Sequence, residues 1–138
     1  MAITQTTCTS FKVELLTGTH DFSSDVFKIA LYTGSATINA DTTVYTTSNE
    51  VSATGYTAGG NTLTVSTTPT SSGTIAYVSF SNTSWSSALT ARGALIYNSS
   101  KSNKAVAVLD FGADKTSTST FTVTFPAADA TSAIVRIS

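Results

Sequence analysis

Histidine, cysteine and the carboxylates are the side chains that could do chemistry here, and they are few. His20 is the only histidine and Cys8 the only cysteine. A multi-histidine metal site is therefore ruled out, and a Cys–His site would need Cys8 brought to His20. Asp21 follows His20 directly, so a hydrogen-bonded His–Asp pair is one reading, and a structural histidine is the other. Serines abound, but no nucleophile-elbow or oxyanion-hole pattern accompanies them, so a Ser–His–Asp triad is not supported. The acids are Glu14, Asp21, Asp25, Asp41, Glu50, Asp110, Asp114 and Asp129. A glycosidase needs two carboxylates about 5–9 Å apart in an aromatic cleft. Asp110 and Asp114 flank a turn signal without such a setting. No single loop carries the several carboxylates of a calcium site. "AGGN" is too short to cradle phosphate. These patterns predict no catalytic residues, no metal and no cofactor.

Composition points the same way. Only 11% of the 138 residues are charged, against about a quarter in an average soluble domain. Ser and Thr together make up about a third of the chain. With 41% hydrophobic residues a packed core is still affordable. Net charge is −1, and the cations Lys12, Lys28, Arg92, Lys101, Lys104, Lys115 and Arg136 are scattered. Phosphate backbones need clustered cations, so nucleic acid is not an expected partner. No apolar run approaches bilayer length, and no secretory-signal pattern stands at the start, so neither membrane nor export is expected. The sequons at Asn82 and Asn98 arise readily in so hydroxyl-rich a chain.

The elements that must carry these residues read as short strands between turns. "VFKIALYT" (Val26–Thr33), "TLTVST" (Thr62–Thr67), "TIAYVSFS" (Thr74–Ser81), "RGALIYN", "AVAVLDFG", "TFTVTFP" and "SAIVRIS" are β-branched, aromatic or alternating. Threonine suits such strands: its branched carbon fits the pleat while its hydroxyl stays wet. Turn chemistry falls at Ala58–Gly60, Pro69–Gly73, Asn98–Asn103 and Gly112–Ser119. The Asn98–Asn103 turn predicts a hairpin with Leu95, Tyr97, Val106 and Val108 buried. Asn39–Ser48 reads as a long loop or an edge element. "SFKVELLTG" (Ser10–Gly18) has strong helix formers, Ser10 as N-cap and Gly18 as stop, and is favoured as a short helix. Phe11, Val13 and Leu15 also alternate as a strand would. The expectation is one all-β domain, 1–138, a jelly-roll-like β-sandwich with a short N-terminal helix. Residues 1–10 form an N-terminal arm, either free to add to a neighbour's sheet or paired in its own.

Four segments, "FKVELLTGTHDF", "DVFKIALYT", "NEVSATGYTAGG" and "ARGALIYNSSKSNKAVAVLDFG", together resemble a family of small virion structural proteins of tailed bacteriophages. The resemblance runs from about Phe11 to Ile137. It implies a non-enzymatic virion component, assembled in the host cytoplasm. Within that class the expected role is a capsid decoration (cement) protein, a homo-oligomer clamping neighbouring major capsid subunits. Alternatives are a tail or head–tail component, or a fibre module binding a host glycan. Ile3 and Thr4 of the arm, with Tyr56 and Trp85 in loops, are the candidate partner-binding residues; Trp85 could equally plug the end of the sandwich.

Overall fold

The computed structural model describes residues 2–138. In chain order it contains β1 (Thr6–Thr7), α1 (Thr9–Leu16), β2 (Phe27–Tyr32), β3 (Asn61–Thr62), β4 (Val65–Ser72), β5 (Ile75–Phe80), β6 (Thr83–Trp85), β7 (Thr90–Asn98), β8 (Lys104–Thr116), β9 (Phe121–Val123) and β10 (Val135–Ile137). A 3₁₀ turn, Ser99–Lys101, joins β7 to β8. The strands form antiparallel sheets in the orders β1-β8-β7-β2-β3, β10-β5-β4 and β6-β9.

The β7–β8 hairpin is the centre of the fold. Leu95 faces Val108, and Leu95, Tyr97, Val106 and Val108 are all buried, as their alternation requires. The turn works because Asn98 accepts the Ser100 N–H and because Ser102 and Asn103 take left-handed backbone, which asparagine tolerates well. The register slips by one residue at Val106, a bulge that adds local twist.

Register fixes the two faces of the large sheet. Phe27, Ile29 and Leu31 share one face with Ile96 and Ala94. This face meets the second sheet: Phe27 stacks on Phe22 at 4.4 Å, and Phe80 of β5 lies 6.0 Å from Phe27. The opposite face carries Ala30, Tyr32, Leu95 and Tyr97. It is covered by the segment 33–60 rather than by water. Tyr45 stacks on Tyr97 at 4.7 Å, and Tyr32 donates to the Thr46 carbonyl. Strands β2 and β7 are thus buried on both sides, which is why "IALY" and "ALIY" run apolar without alternation.

Several boundaries differ from the sequence expectation. The helix forms, but it is capped by Cys8 without a side-chain bond, and Ser10 lies inside it. Cys8 replaces Ser10 because Cys8 N–H pairs with the Val106 carbonyl and so fixes where the chain turns. Gly18, at φ +73°, stops the helix as expected. Gly18 N–H bonds the Leu15 carbonyl and Thr19 N–H the Glu14 carbonyl, the paired bonds of a Schellman end. Pro69–Ser72 is strand, not turn; β4 is an open edge, where proline's missing N–H costs no ladder bond. Gly112–Thr116 also continues a strand, because Lys115 and Thr116 pair with Ala91 and Thr90. Asn39–Ser48 is a loop that touches the edge of β8 through a Val44–Lys104 bridge.

The N-terminal arm is paired within its own sheet. Thr6 and Thr7 lie against Val108 and Ala107, Ile3 bridges Ile38 in parallel, and Thr4 N–H reaches the Ile38 carbonyl. Gly93 leaves room for this: a Cβ there would stand 2.5 Å from the Leu109 carbonyl oxygen and 2.8 Å from Ile3.

Candidate functional site

Two polar clusters gather the chemistry-bearing residues. In the first, His20 Nε2 lies 2.8 Å from Glu14 Oε1, and Asn98 Nδ2 lies 3.0 Å from His20 Nδ1. The Asn98 amide also donates to Asp25 Oδ2 at 2.8 Å, and Lys101 Nζ reaches both Asp25 oxygens at 2.8 Å. Lys104 stands 3.6 Å from the other Glu14 oxygen. An amide N–H can only donate and a carboxylate only accepts. The network therefore assigns neutral His20 with its proton on Nε2. Both ring nitrogens are committed, so His20 ties α1 to the hairpin. Burial raises the Asp25 carboxyl, but the Lys101, Asn98 and Asp21 hydrogen bonds outweigh it and hold the carboxyl below its ordinary value.

The His20–Asp21 pairing does not form. Asp21 instead accepts from the Ser23 N–H and the Ser23 and Ser24 hydroxyls, which hold its carboxyl low. Glu14, Asp25 and Asn98 are the partners that sequence reading missed. Asn98 stands seventy-eight residues from His20, and no local pattern announces such a meeting.

The second cluster surrounds Glu50. Its Oε1 accepts the Tyr45 hydroxyl at 2.6 Å, and its Oε2 accepts the Tyr56 hydroxyl at 2.6 Å and Gly59 N–H at 2.8 Å. Tyr56 in turn accepts Leu31 N–H at 2.8 Å, and Tyr97 donates to the Gly59 carbonyl at 2.6 Å. Burial, then the bond to Glu50, pushes Tyr45 and Tyr56 far above an ordinary phenol. Burial, then the Glu50 charge, pushes Tyr97 up to about 12. These phenols remain donors at neutral pH and staple the 33–60 segment to the sheet.

Cys8 is fully buried; burial, then the nearby Glu14 charge, pushes its thiol up to about 11. Little nucleophilic thiolate exists there at neutral pH. Asp110 is held low by Gly112 N–H, with Arg92 3.2 Å away, and so belongs to a surface pair.

The candidate partner-binding residues do not come together. Ile3 is buried against Gly93 and Ile38, while Thr4 beside it is exposed. Tyr56 and Trp85 do meet, at 5.9 Å, but both rings are buried, at 8% and 4% exposure. Of the two readings of Trp85, exposed anchor and plug, its burial fits the plug: it lies not in a loop but at the end of β6, paired with Phe121 of β9, with its indole between Tyr56 and Phe121.

Among the described residues, no group of three or more His, Cys, Asp or Glu could hold a metal ion, and no helix is long and apolar enough to cross a membrane. A groove of about 530 Å³ lies between β8 and β9 and is floored by Leu109, Phe111, Phe121 and Val123. Two smaller grooves border α1, β5 and β10. Comparison with protein-family models, with curated proteins and with solved structures finds no match for this chain.

Proposed function

We propose that this chain is a non-enzymatic structural protein of a tailed-phage virion, acting as a capsid decoration protein that clamps neighbouring major capsid subunits. The virion part rests on the resemblance of the four segments from Phe11 onward. The structural part is carried by one observation, the character of the open sheet edge. β4 ends its sheet, is solvent-exposed over most of its length, and offers hydroxyls at six of its eight positions with no charge. An open edge of this kind can pair with another chain, and its hydroxyls keep it soluble until it does. The five-stranded sheet is taken as one layer and the two smaller sheets as the other, in a jelly-roll-like connection. His20, Cys8 and Glu50 support the reading because each is engaged in holding the fold. The glycan-binding alternative loses its anchor with Trp85 and Tyr56 turned inward.

Binding to the assembled shell and not to free subunits would stabilise the shell by linkage. The test is the copy number in purified particles. Hundreds of copies per particle support decoration. A single ring's worth would place the protein in the tail or the head–tail junction, and absence from the particle would sink the virion reading.

A further inference from the structure

Two sheet edges end beside each other on one flank of the molecule. β1 covers β8 only opposite Ala107 and Val108, so Leu109–Thr116 has no strand on its outer side. β9 pairs with β6 on one side, and no described strand pairs with the other. Both edges line the groove of about 530 Å³. Its floor is aromatic and aliphatic, with the Phe111 and Phe121 rings 6.1 Å apart. Lys115 is the one charged side chain on its walls, and no described carboxylate pairs with it. At the groove's inner end, Asp110 N–H points outward and is met at 3.1 Å by the Gln5 side-chain carbonyl. A side-chain amide there occupies the place of a strand's peptide carbonyl, as the first rung of a ladder that then stops.

From these edges we infer that the groove receives an extended segment of another protein, added as a strand along the open half of β8. Its alternate apolar side chains lie on the Leu109–Phe111–Phe121–Val123 floor, and a carboxylate sits opposite Lys115. The backbone edge offers donors and acceptors on either side of a bulge at Phe111–Asp114, where Gly112 sits at φ +83° and gives its N–H to Asp110 Oδ1, and a polypeptide strand supplies the matching groups on both sides of it. Strands β4 and β10 of a second copy fit poorly. The open strand β4 has no acid and no large apolar residue after Val65, and the open strand β10 brings Arg136 toward Lys115. The inference goes beyond the virion reading and does not depend on it.

The test uses the full chain and synthetic peptides of about eight residues, matched to the length of open edge. One peptide alternates Val and Thr around a central Glu. A second has the same composition with its valines clustered, and a third carries Lys for Glu. Trp85, the only tryptophan, lies 6.3 Å from Phe121 and reports filling of the groove by fluorescence. Amide exchange reports pairing at Phe111–Lys115. The alternating Glu peptide is expected to bind saturably and to slow exchange there, with the clustered isomer weaker by about tenfold. Lys115 is exposed, so Lys115→Glu should fold normally and reverse the preference between the Glu and Lys peptides by about threefold to tenfold. Equal binding of the clustered isomer, no saturable binding of any peptide, or no effect of Lys115→Glu would overturn the inference. So would self-association of the protein that occludes the groove, or filling of it by an oligosaccharide or detergent but not by peptide.

Discussion

Gly60 shows how much a single position can decide. Its backbone sits at φ +76°, and an added Cβ would overlap the Ile29 carbonyl oxygen. Gly73 has a similar φ of +62° with nothing within 4 Å. Gly60→Ala should therefore cost the left-handed penalty of about 1–2 kcal/mol plus a steric term of at least that size, while Gly73→Ala should cost only the first. Urea midpoints of the two variants check this, and equal losses would mean that the loop at Gly60 can move aside. Glu50 is the second test at this scale. Glu50→Gln removes a charged acceptor from two tyrosine hydroxyls and an amide, with an expected loss of about 2–3 kcal/mol. The same cluster sets an alkaline limit. Tyr32, Tyr45, Tyr56 and Tyr97 titrate higher folded than unfolded, so above about pH 10 the unfolded chain releases protons that the folded chain keeps. Their stabilisation is complete below pH 10 and should fall as pH rises toward 12. Phenolate absorbance appearing together with loss of β structure would show it; early titration of these four in a folded protein would contradict it. The turn at Gly60 was legible beforehand, but the Glu50 cluster was not, because Glu50 reads as one acid in a polar loop and its partners are scattered along the chain.

Among the elements, the long strands were legible and their ends were not; β6 was read as a polar loop around Trp85, and the expected strand Thr62–Thr67 is split between β3 and β4 of different sheets. The β7–β8 hairpin follows from alternation around a turn whose residues tolerate left-handed backbone. The ends of β4 and β8 do not follow, since "PTSSG" and "GADKT" carry local turn chemistry that long-range pairing overrides. Val106→Asp should abolish soluble expression, because an unpaired buried charge costs on the order of 4 kcal/mol or more. A soluble, folded variant would show that the bulge lets the side chain escape. Removal of residues 2–10 should be nearly as severe. It strips β1 from β8, uncovers Gly93 by removing Ile3, and takes the first residues of α1. The truncated chain is expected to aggregate or to melt well below the intact one. A folded truncation with an unchanged midpoint would mean that the arm is an accessory, free to pair elsewhere.

For the whole molecule, the β-rich class and the single helix follow from composition and period, whereas the layer formed by residues 33–60 could not be read. That layer is held by hydroxyl-to-carbonyl bonds and Tyr45–Tyr97 stacking, which leave no periodic trace. The low charge was legible, and it sets how such a surface can bind. With a net charge of −1 and charged residues at 11%, long-range attraction to another weakly charged surface is small. What exists is screened over about 8 Å at physiological salt and about 3 Å at 1 M. Strand pairing and apolar contact do not fade over that range, and salting-out strengthens apolar burial. If the chain decorates a particle as proposed, its occupancy there should therefore stay nearly constant as salt rises to about 1 M. A single Lys115–carboxylate pair at a rim would change it only a few-fold. Sedimentation of particles with bound protein, followed across the salt series, measures this directly. Release by salt alone would require an interface built on many ion pairs, and the seven scattered cations of this chain offer no face on which to build one.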